Sequence, residues 1–184
     1  MALQDDGIIK VSELRGEFGG SSPDLMSEYY RGAGLVPNSQ TSIPTSGEIL
    51  LSDFYSTSDE TIITVTQGLY DSGGQFATRY WGFSEDVFQT FDIGSVNPTT
   101  FSGSTINQLM YYEVVSFSSL YFILSGNHSK SLFETLQPQG ATAFASADSL
   151  HDYDGTYNQT TWSWGSVVRP SVWDGSGNVT VTIV

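Results

Sequence analysis

The C-terminal run Asn178-Val179-Thr180-Val181-Thr182-Ile183-Val184 alternates strictly between polar and apolar side chains. A period of two puts Val179, Val181 and Ile183 on one face of a strand, and a helix cannot segregate them. Thr61-Ile62-Ile63-Thr64-Val65-Thr66 is β-branched at every position, and Trp162-Ser163-Trp164 sets two indoles on one strand face. Gln75 to Phe83 reads as an aromatic strand with Phe76, Thr78, Tyr80 and Gly82 on one parity, and Val87 to Ile93 as its successor. Met110 to Phe117 and Leu120 to Leu124 read as a hairpin around Ser118-Ser119. Turn signals recur at Ser72-Gly73-Gly74, Ser125-Gly126-Asn127 and Asp174-Gly175-Ser176-Gly177. Only Ser129 to Leu136 and Ala143 to Leu150 have the pattern of short helices. This style of sequence predicts an antiparallel β-sandwich-like domain over residues 57–184. The final strand either pairs a neighbour at a sheet edge or lies inside its own sheet, and edge avoidance favours the second.

Before the polar stretch Ser56-Thr57-Ser58-Asp59-Glu60 the style differs. Residues 1–56 contain an internal repeat: Gly7-Ile8-Ile9-Lys10-Val11-Ser12-Glu13-Leu14 matches Gly47-Glu48-Ile49-Leu50-Leu51-Ser52-Asp53-Phe54, and Leu25-Met26-Ser27-Glu28-Tyr29 is a looser copy. Each copy reads as an extended segment entering one or two helical turns. Ser12, Ser27 and Ser52 are good N-cap residues, each followed by an acid that suits the positive end of a helix. The chain is thus mainly β, a small N-terminal module of short strands and helical turns followed by the β-sandwich-like domain. A module of this size buries little apolar area. That motivates docking, with Leu14, Phe18, Leu25, Tyr29, Tyr30, Leu35, Ile43 and Phe54 packing partly against the other domain or a partner chain. The alternative is a small self-contained subdomain.

Charge limits the partners. Six Lys and Arg stand against 20 Asp and Glu, a net charge of −14. Phosphate backbones and anionic membrane surfaces are repelled by such a field, so neither nucleic acid nor a membrane is an expected partner. The acidity serves solubility and keeps free copies apart. No cysteine is present, which excludes disulfides and thiolate metal sites. The start Met1-Ala2-Leu3-Gln4-Asp5-Asp6 has no signal-peptide character, and no apolar run reaches the ~20 residues of a membrane span. The sequons at Asn127, Asn158 and Asn178 read as ordinary loop and strand sequence without such a signal.

Three blocks of the first part resemble a recurrent opening of tailed-bacteriophage virion proteins, including those of cyanophages. They are Val11-Ser12-Glu13-Leu14-Arg15-Gly16-Glu17-Phe18-Gly19-Gly20, then Ser27-Glu28-Tyr29-Tyr30-Arg31-Gly32-Ala33-Gly34-Leu35-Val36-Pro37, then Ile43-Pro44-Thr45-Ser46-Gly47-Glu48-Ile49-Leu50-Leu51-Ser52-Asp53-Phe54-Tyr55. They stand in the family's order, and Ser56 departs from it where Gly is frequent. The second part resembles phage-associated β domains only loosely, through Gly94 to Ile106 and Thr161 to Trp164. The resemblance implies a virion structural protein, made in the host bacterial cytoplasm and held among capsid or tail subunits, with homo-oligomers in the particle. A tail-fibre or adhesin module that binds a host receptor or glycan is the rival.

Catalytic chemistry has few candidates. His128 lies in a polar turn and reads as a surface loop residue. Asp148, Asp152 and Asp154 around His151 carry oxygens suited to calcium, but the EF-hand spacing and its closing Glu are missing. Glu85 and Asp86 are adjacent in sequence, unlike glycosidase carboxylates, which stand on separate elements. No nucleophile elbow, P-loop or dinucleotide fingerprint occurs. The expectation is a non-enzyme without metal or cofactor. Tyr80, Trp81, Tyr111, Tyr112, Tyr121, Tyr153, Tyr157, Trp162, Trp164 and Trp173 exceed what a core of this size needs. Those outside the core are suited to a subunit interface or a glycan site.

Overall fold

The computed structural model describes residues 3–23, 25–37, 40–55, 57, 60–85, 92–115 and 117–184. Two compact units form, Met1–Thr61 and Ile62–Val184. Ser56, Ser58 and Asp59 of the polar stretch, and most of the expected strand Val87 to Ile93, lie outside the described residues. No helix among the described residues is long and apolar enough to cross a membrane.

In the first unit the repeat is a structural one. Its copies form the helix α1 (Val11–Phe18) and the single 3-10 turns Met26–Tyr29 and Leu51–Phe54. The serines are not the caps. Helix α1 begins one residue earlier, so Lys10 and Leu50 hold the cap positions. The acid three residues on reaches back: the Lys10 amide donates to Glu13 Oε2 at 2.7 Å, and the Leu50 amide to Asp53 Oδ2 at 2.8 Å. Half of a capping box therefore does the work expected of a serine.

Each copy ends on an apolar side chain, and Leu14, Tyr29 and Phe54 converge with no exposed surface. Phe18, Ile9, Val36 and Ile43 complete this core, with the Phe18 and Tyr29 rings 6.1 and 6.4 Å from that of Phe54. Two tyrosines tie the copies together. Tyr55, next after Phe54, donates its hydroxyl to the Gly7 carbonyl at 2.5 Å. Tyr30, next after Tyr29, donates to the carbonyl of Gly47. The middle copy is thereby latched to the last, and the last to the first.

The second unit is mainly β, with two antiparallel sheets. Its strands are β1 (Thr61–Thr66), β2 (Gly68–Asp71), β3 (Arg79–Ser84), β4 (Ser95–Asn97), β5 (Thr100–Phe101) and β6 (Ser104–Val114), then β7 (Phe117–Ser125), β8 (Thr135–Pro138), β9 (Phe144–Ala145), β10 (Leu150–Asp154), β11 (Gln159–Gly165) and β12 (Asn178–Ile183). One sheet runs β4-β1-β12-β8-β9, the other β10-β11-β7-β6-β3-β2 with β5 hairpinned onto β6. The C-terminal strand β12 thus lies inside its sheet between β1 and β8. Val179, Val181 and Ile183 point inward as their alternation requires.

Ile63, Val65 and the β12 side chains face Trp81, Leu109, Tyr111, Leu120, Phe122, Trp162 and Trp164 across the sandwich. Each large side chain fully buried there contributes roughly 1.5–3 kcal/mol. Three indole N–H groups have carbonyl partners: Trp162 donates to Lys130 at 3.1 Å, Trp164 to Ala145 at 2.8 Å and Trp173 to Gln139 at 3.3 Å.

Between β1 and β2 the chain leaves one sheet for the other at Gln67-Gly68. Gln67 is buried and its amide is fully used: Nε2 donates to the Val172 and Ser176 carbonyls at 3.0 and 2.7 Å, and Oε1 accepts from the Gly175 amide at 3.3 Å. Backbones crowd at this corner. A methyl group on Gly68 would stand 2.5 Å from the Gly94 amide nitrogen, and one on Gly94 would overlap the carbonyl oxygens of Gly82 and Thr66.

Several local expectations are corrected. The long hairpin pairs Val114 with Phe117, so Ser118 and Ser119 belong to β7 and the turn precedes them. Strand β3 begins at Arg79, which leaves Phe76 in a turn, 76% exposed. Ser129 to Leu136 forms no helix. It leads into β8, where Leu136 is a core residue. Ala143 to Leu150 holds β9, the short 3-10 turn Ser146–Asp148 and the first residue of β10, so its helical part is that one turn.

In the first unit, Phe54→Ala is expected to cost about 3–5 kcal/mol. Tyr55→Phe should cost about 1 kcal/mol, and Leu25→Ser should stay within about 0.5 kcal/mol. Urea titration followed by near-UV circular dichroism measures all three.

Candidate functional site

The residues expected to dock fall into two groups. Leu14, Phe18, Tyr29 and Phe54 are at most 5% exposed and fill the core of their own unit. Ile43 is buried there too, and Leu35 packs against that core. Tyr30 is half-buried with its hydroxyl on Gly47. These side chains are thus used in the unit's own core. Leu25 alone of that set remains open, 52% exposed, and Leu50, at the same place in its own copy, is 50% exposed. Ile8 at 83% and Leu51 at 38% join them. The sequence reading missed Ile8, Leu50 and Leu51, although their positions in the repeat were the available signal.

On the second unit, strand parity sorts the aromatic surplus. Trp81, Tyr111, Trp162, Trp164 and Trp173 point into the sandwich. Tyr80, Tyr112 and Tyr121 point the other way, and Tyr70 on β2 extends their row. Tyr70 pairs with Tyr80, and Tyr80 with Tyr112, in direct cross-strand register. The rings lie 5.9, 5.1 and 6.1 Å apart in the order Tyr70, Tyr80, Tyr112, Tyr121. Phe117, 45% exposed, closes the row 6.4 Å from Tyr112. Tyr153 and Tyr157 stand exposed at the β10–β11 turn. Burial pushes the Tyr80 hydroxyl above its ordinary value, and neighbouring tyrosines add to the effect. Tyr121 is likewise raised by burial, against a hydrogen bond with Ser119.

One end of the sandwich is built by the turn before β3, the end of β6 and the chain after β11. Arg79 and Glu113 are register partners there. Arg79 Nε lies 2.7 Å from Asp71 Oδ2, and this guanidinium holds the Asp71 carboxyl below the usual range, helped by the Gly73 amide. Arg169 lies over Trp81, its guanidinium carbon 3.9 Å from the ring centre. It donates through Nη1 to the Trp173 carbonyl, and its Nε is 4.0 Å from Glu113 Oε2. Beneath it, burial drives the Tyr111 hydroxyl far up, and that hydroxyl has no hydrogen-bond partner. Gly74, Gln75, Ala77, Arg79, Glu113 and Val114 line a pocket of about 150 Å³ at this end. Val115, 69% exposed, belongs to the same lining, whereas the exposed Phe76 and Phe117 are only its neighbours in sequence.

The remaining candidates do not converge. His128 is half-buried rather than a free loop residue, its ring stacked 6.4 Å from Trp162 and its Nε2 2.7 Å from the Ser125 carbonyl. His151 packs on the same indole at 5.2 Å. Asp154 Oδ1 accepts the Thr156 amide at 2.8 Å, a turn contact. Among the described residues, no three His, Cys, Asp or Glu gather around a metal-sized space. Asp86 of the adjacent carboxylate pair lies outside the described residues. The chain matches no family model, no curated protein and no solved structure.

Alkaline titration at 295 nm should show Tyr80, Tyr111 and Tyr121 ionising above the ordinary value of about 10. Below that pH they are neutral in both states and folding stability is complete. Above it the unfolded chain ionises first, so stability falls until the folded-state values are passed. Tyr80→Phe should remove one late-titrating group.

Proposed function

We propose that the chain is a non-enzymatic structural protein of a tailed-phage particle, a multi-copy accessory such as a head decoration, a knob or a tail-associated component. The observation that carries the reading is the first unit. Its three blocks resemble virion openings, and its repeat sets Leu25 and Leu50 at equivalent positions, each about half exposed. Neither leucine belongs to the unit's own core, and their open halves are suited to contact. The docking surface in this reading is Ile8, Leu25, Leu50 and Leu51, and the partners are capsid or tail subunits, with further copies of the chain nearby. An acidic chain keeps its free copies apart until such a site captures them.

A second reading is favoured by a separate observation, the part-exposed row of Tyr70, Tyr80, Tyr112 and Tyr121 that Phe117 closes on the outer face of the larger sheet. In it the second unit is an adhesin that contacts a host receptor or glycan.

Mass spectrometry of extensively washed particles tests the first reading. The chain is expected at a fixed ratio to the major capsid protein, and a Leu25→Asp/Leu50→Asp double variant should be depleted at least about tenfold, the equivalent of 1.4 kcal/mol in docking. Absence of the unsubstituted chain from washed particles would overturn the assignment.

A further inference from the structure

We propose that a second copy of this chain covers the outer face of the five-stranded sheet, the two copies meeting sheet to sheet across a two-fold axis. The inference goes beyond the particle assignment and holds for the free chain.

Strand alternation defines the face. Val65, Val179, Val181 and Leu136 point into the sandwich, so Ile62, Thr64 and Thr66 of β1, Thr180 and Thr182 of β12 and Gln137 of β8 point out. Register partners continue it: Asn97 stands opposite Thr64, Ser95 opposite Thr66, and Gln137 opposite Thr182. Between β1 and β12 the Thr66 hydroxyl donates to Asn178 Oδ1 at 3.0 Å. Ile62 is 50% exposed, and Thr66, Gln137, Asn178 and Thr180 are exposed as well. None of these outward side chains carries a charge, in a chain with 20 acids and a net charge of −14.

That pattern selects the partner. A basic protein would gain more from the acidic surfaces than from this one. A partner of the same sign approaches closely only where neither surface is charged, and another copy of the chain always has the same sign. The chemistry is also self-complementary. A two-fold axis sets one patch against itself. Carboxylates repel in that arrangement, whereas hydroxyls and amides both donate and accept. Ile62 and the threonine methyls supply apolar contact between the hydrogen bonds. Ile62, Thr64, Thr66, Thr180 and Thr182 are β-branched, so they have little rotamer freedom to lose when covered.

The size of the face sets the strength of the contact. Five strands about 4.8 Å apart, six residues long in β1 and β12 at about 3.4 Å per residue, cover at most about 500 Å² on each copy. Two copies together bury about 1,000 Å², the lower end of specific contacts, which suits a dissociation constant of about 0.1–1 mM. Such a contact is sparse in dilute solution and fills where copies are held close together.

Sedimentation equilibrium of the full chain at about 0.5 mM tests the proposal, a concentration at which such a dimer is well populated. Raising the salt from about 20 mM to about 0.5 M shortens the screening length from about 20 Å to about 4 Å. The mean mass should rise towards a dimer with salt, because screening removes the repulsion between copies and leaves the uncharged face intact. Thr180 lies on the central strand of the sheet, near the axis. Thr180→Glu should weaken association at least about tenfold. Thr156→Glu adds the same charge at the exposed β10–β11 turn and should leave association in 0.5 M salt unchanged. A Thr180→Glu chain mixed with a Thr180→Lys chain should associate at least about tenfold more tightly than either alone, a gain that no folding defect produces. The proposal is overturned if the chain stays monomeric in 0.5 M salt, if association falls as salt rises, if the two glutamate variants behave alike, or if the mixture is no better than its parts. A monomeric chain whose Thr180→Glu variant is lost from washed particles would assign the face to another subunit and overturn the second-copy proposal while leaving the particle assignment standing.

Discussion

The second unit hangs on the corner where three backbones pass without side chains between them. Gly68 and Gly94 stand where the chain leaves β1 for β2 and where the segment before β4 returns past β3. A Cβ at either place would force the backbones apart. Their closeness lets β1 serve the five-stranded sheet and β2 the seven-stranded one with only Gln67 between them. Gln67 then anchors the 172–177 loop over the same corner through bonds that leave none of its amide unsatisfied.

What the corner fixes, the surface inherits. Once β2 leaves at Gly68, its pairing on β3 places Tyr70 beside Tyr80, and β3 on β6 places Tyr80 beside Tyr112 and Arg79 opposite Glu113. A slip of one residue would exchange the two faces, turning the tyrosines inward and the Trp81 side chain to solvent. The aromatic row and the mixed-charge pocket are therefore consequences of one register. The first unit follows different physics, with one short helix and two 3-10 turns, each giving an apolar side chain to a shared core, latched by tyrosine hydroxyls.

Elements with strict local periodicity were legible in the sequence. Val179, Val181 and Ile183, Trp162 and Trp164, and the β1 run all sit as their spacing requires, because a sandwich buries alternate residues and no other arrangement shelters them. The long hairpin was displaced because its turn lacks the Gly and Asn signals that mark others, and Ser118-Ser119, which looked like a turn, lies in the strand. The caps were displaced because serine and the following acid both favour a helix start, and only the reach of a carboxylate back over three residues decides which amide is capped. The copies' terminal Leu14, Tyr29 and Phe54 were readable as apolar, but not as a shared core, since nothing local says that three separate turns meet. The pocket was invisible for the same reason: Arg79 and Glu113 are distant in sequence and become neighbours only through the β3–β6 pairing.

The corner can be isolated by comparing two glycines. Gly94 and Gly177 have nearly equal backbone angles, φ of +63° and +66°, but only Gly94 is crowded, and nothing lies within 4 Å of the place a methyl would take at Gly177. Both alanine variants carry the same conformational cost of about 1 kcal/mol. Equilibrium unfolding should show Gly94→Ala less stable than Gly177→Ala by at least about 2 kcal/mol, the added cost of forcing packed backbones apart. Equal losses in the two variants would mean that the close approach at the corner does not hold the sheets in register.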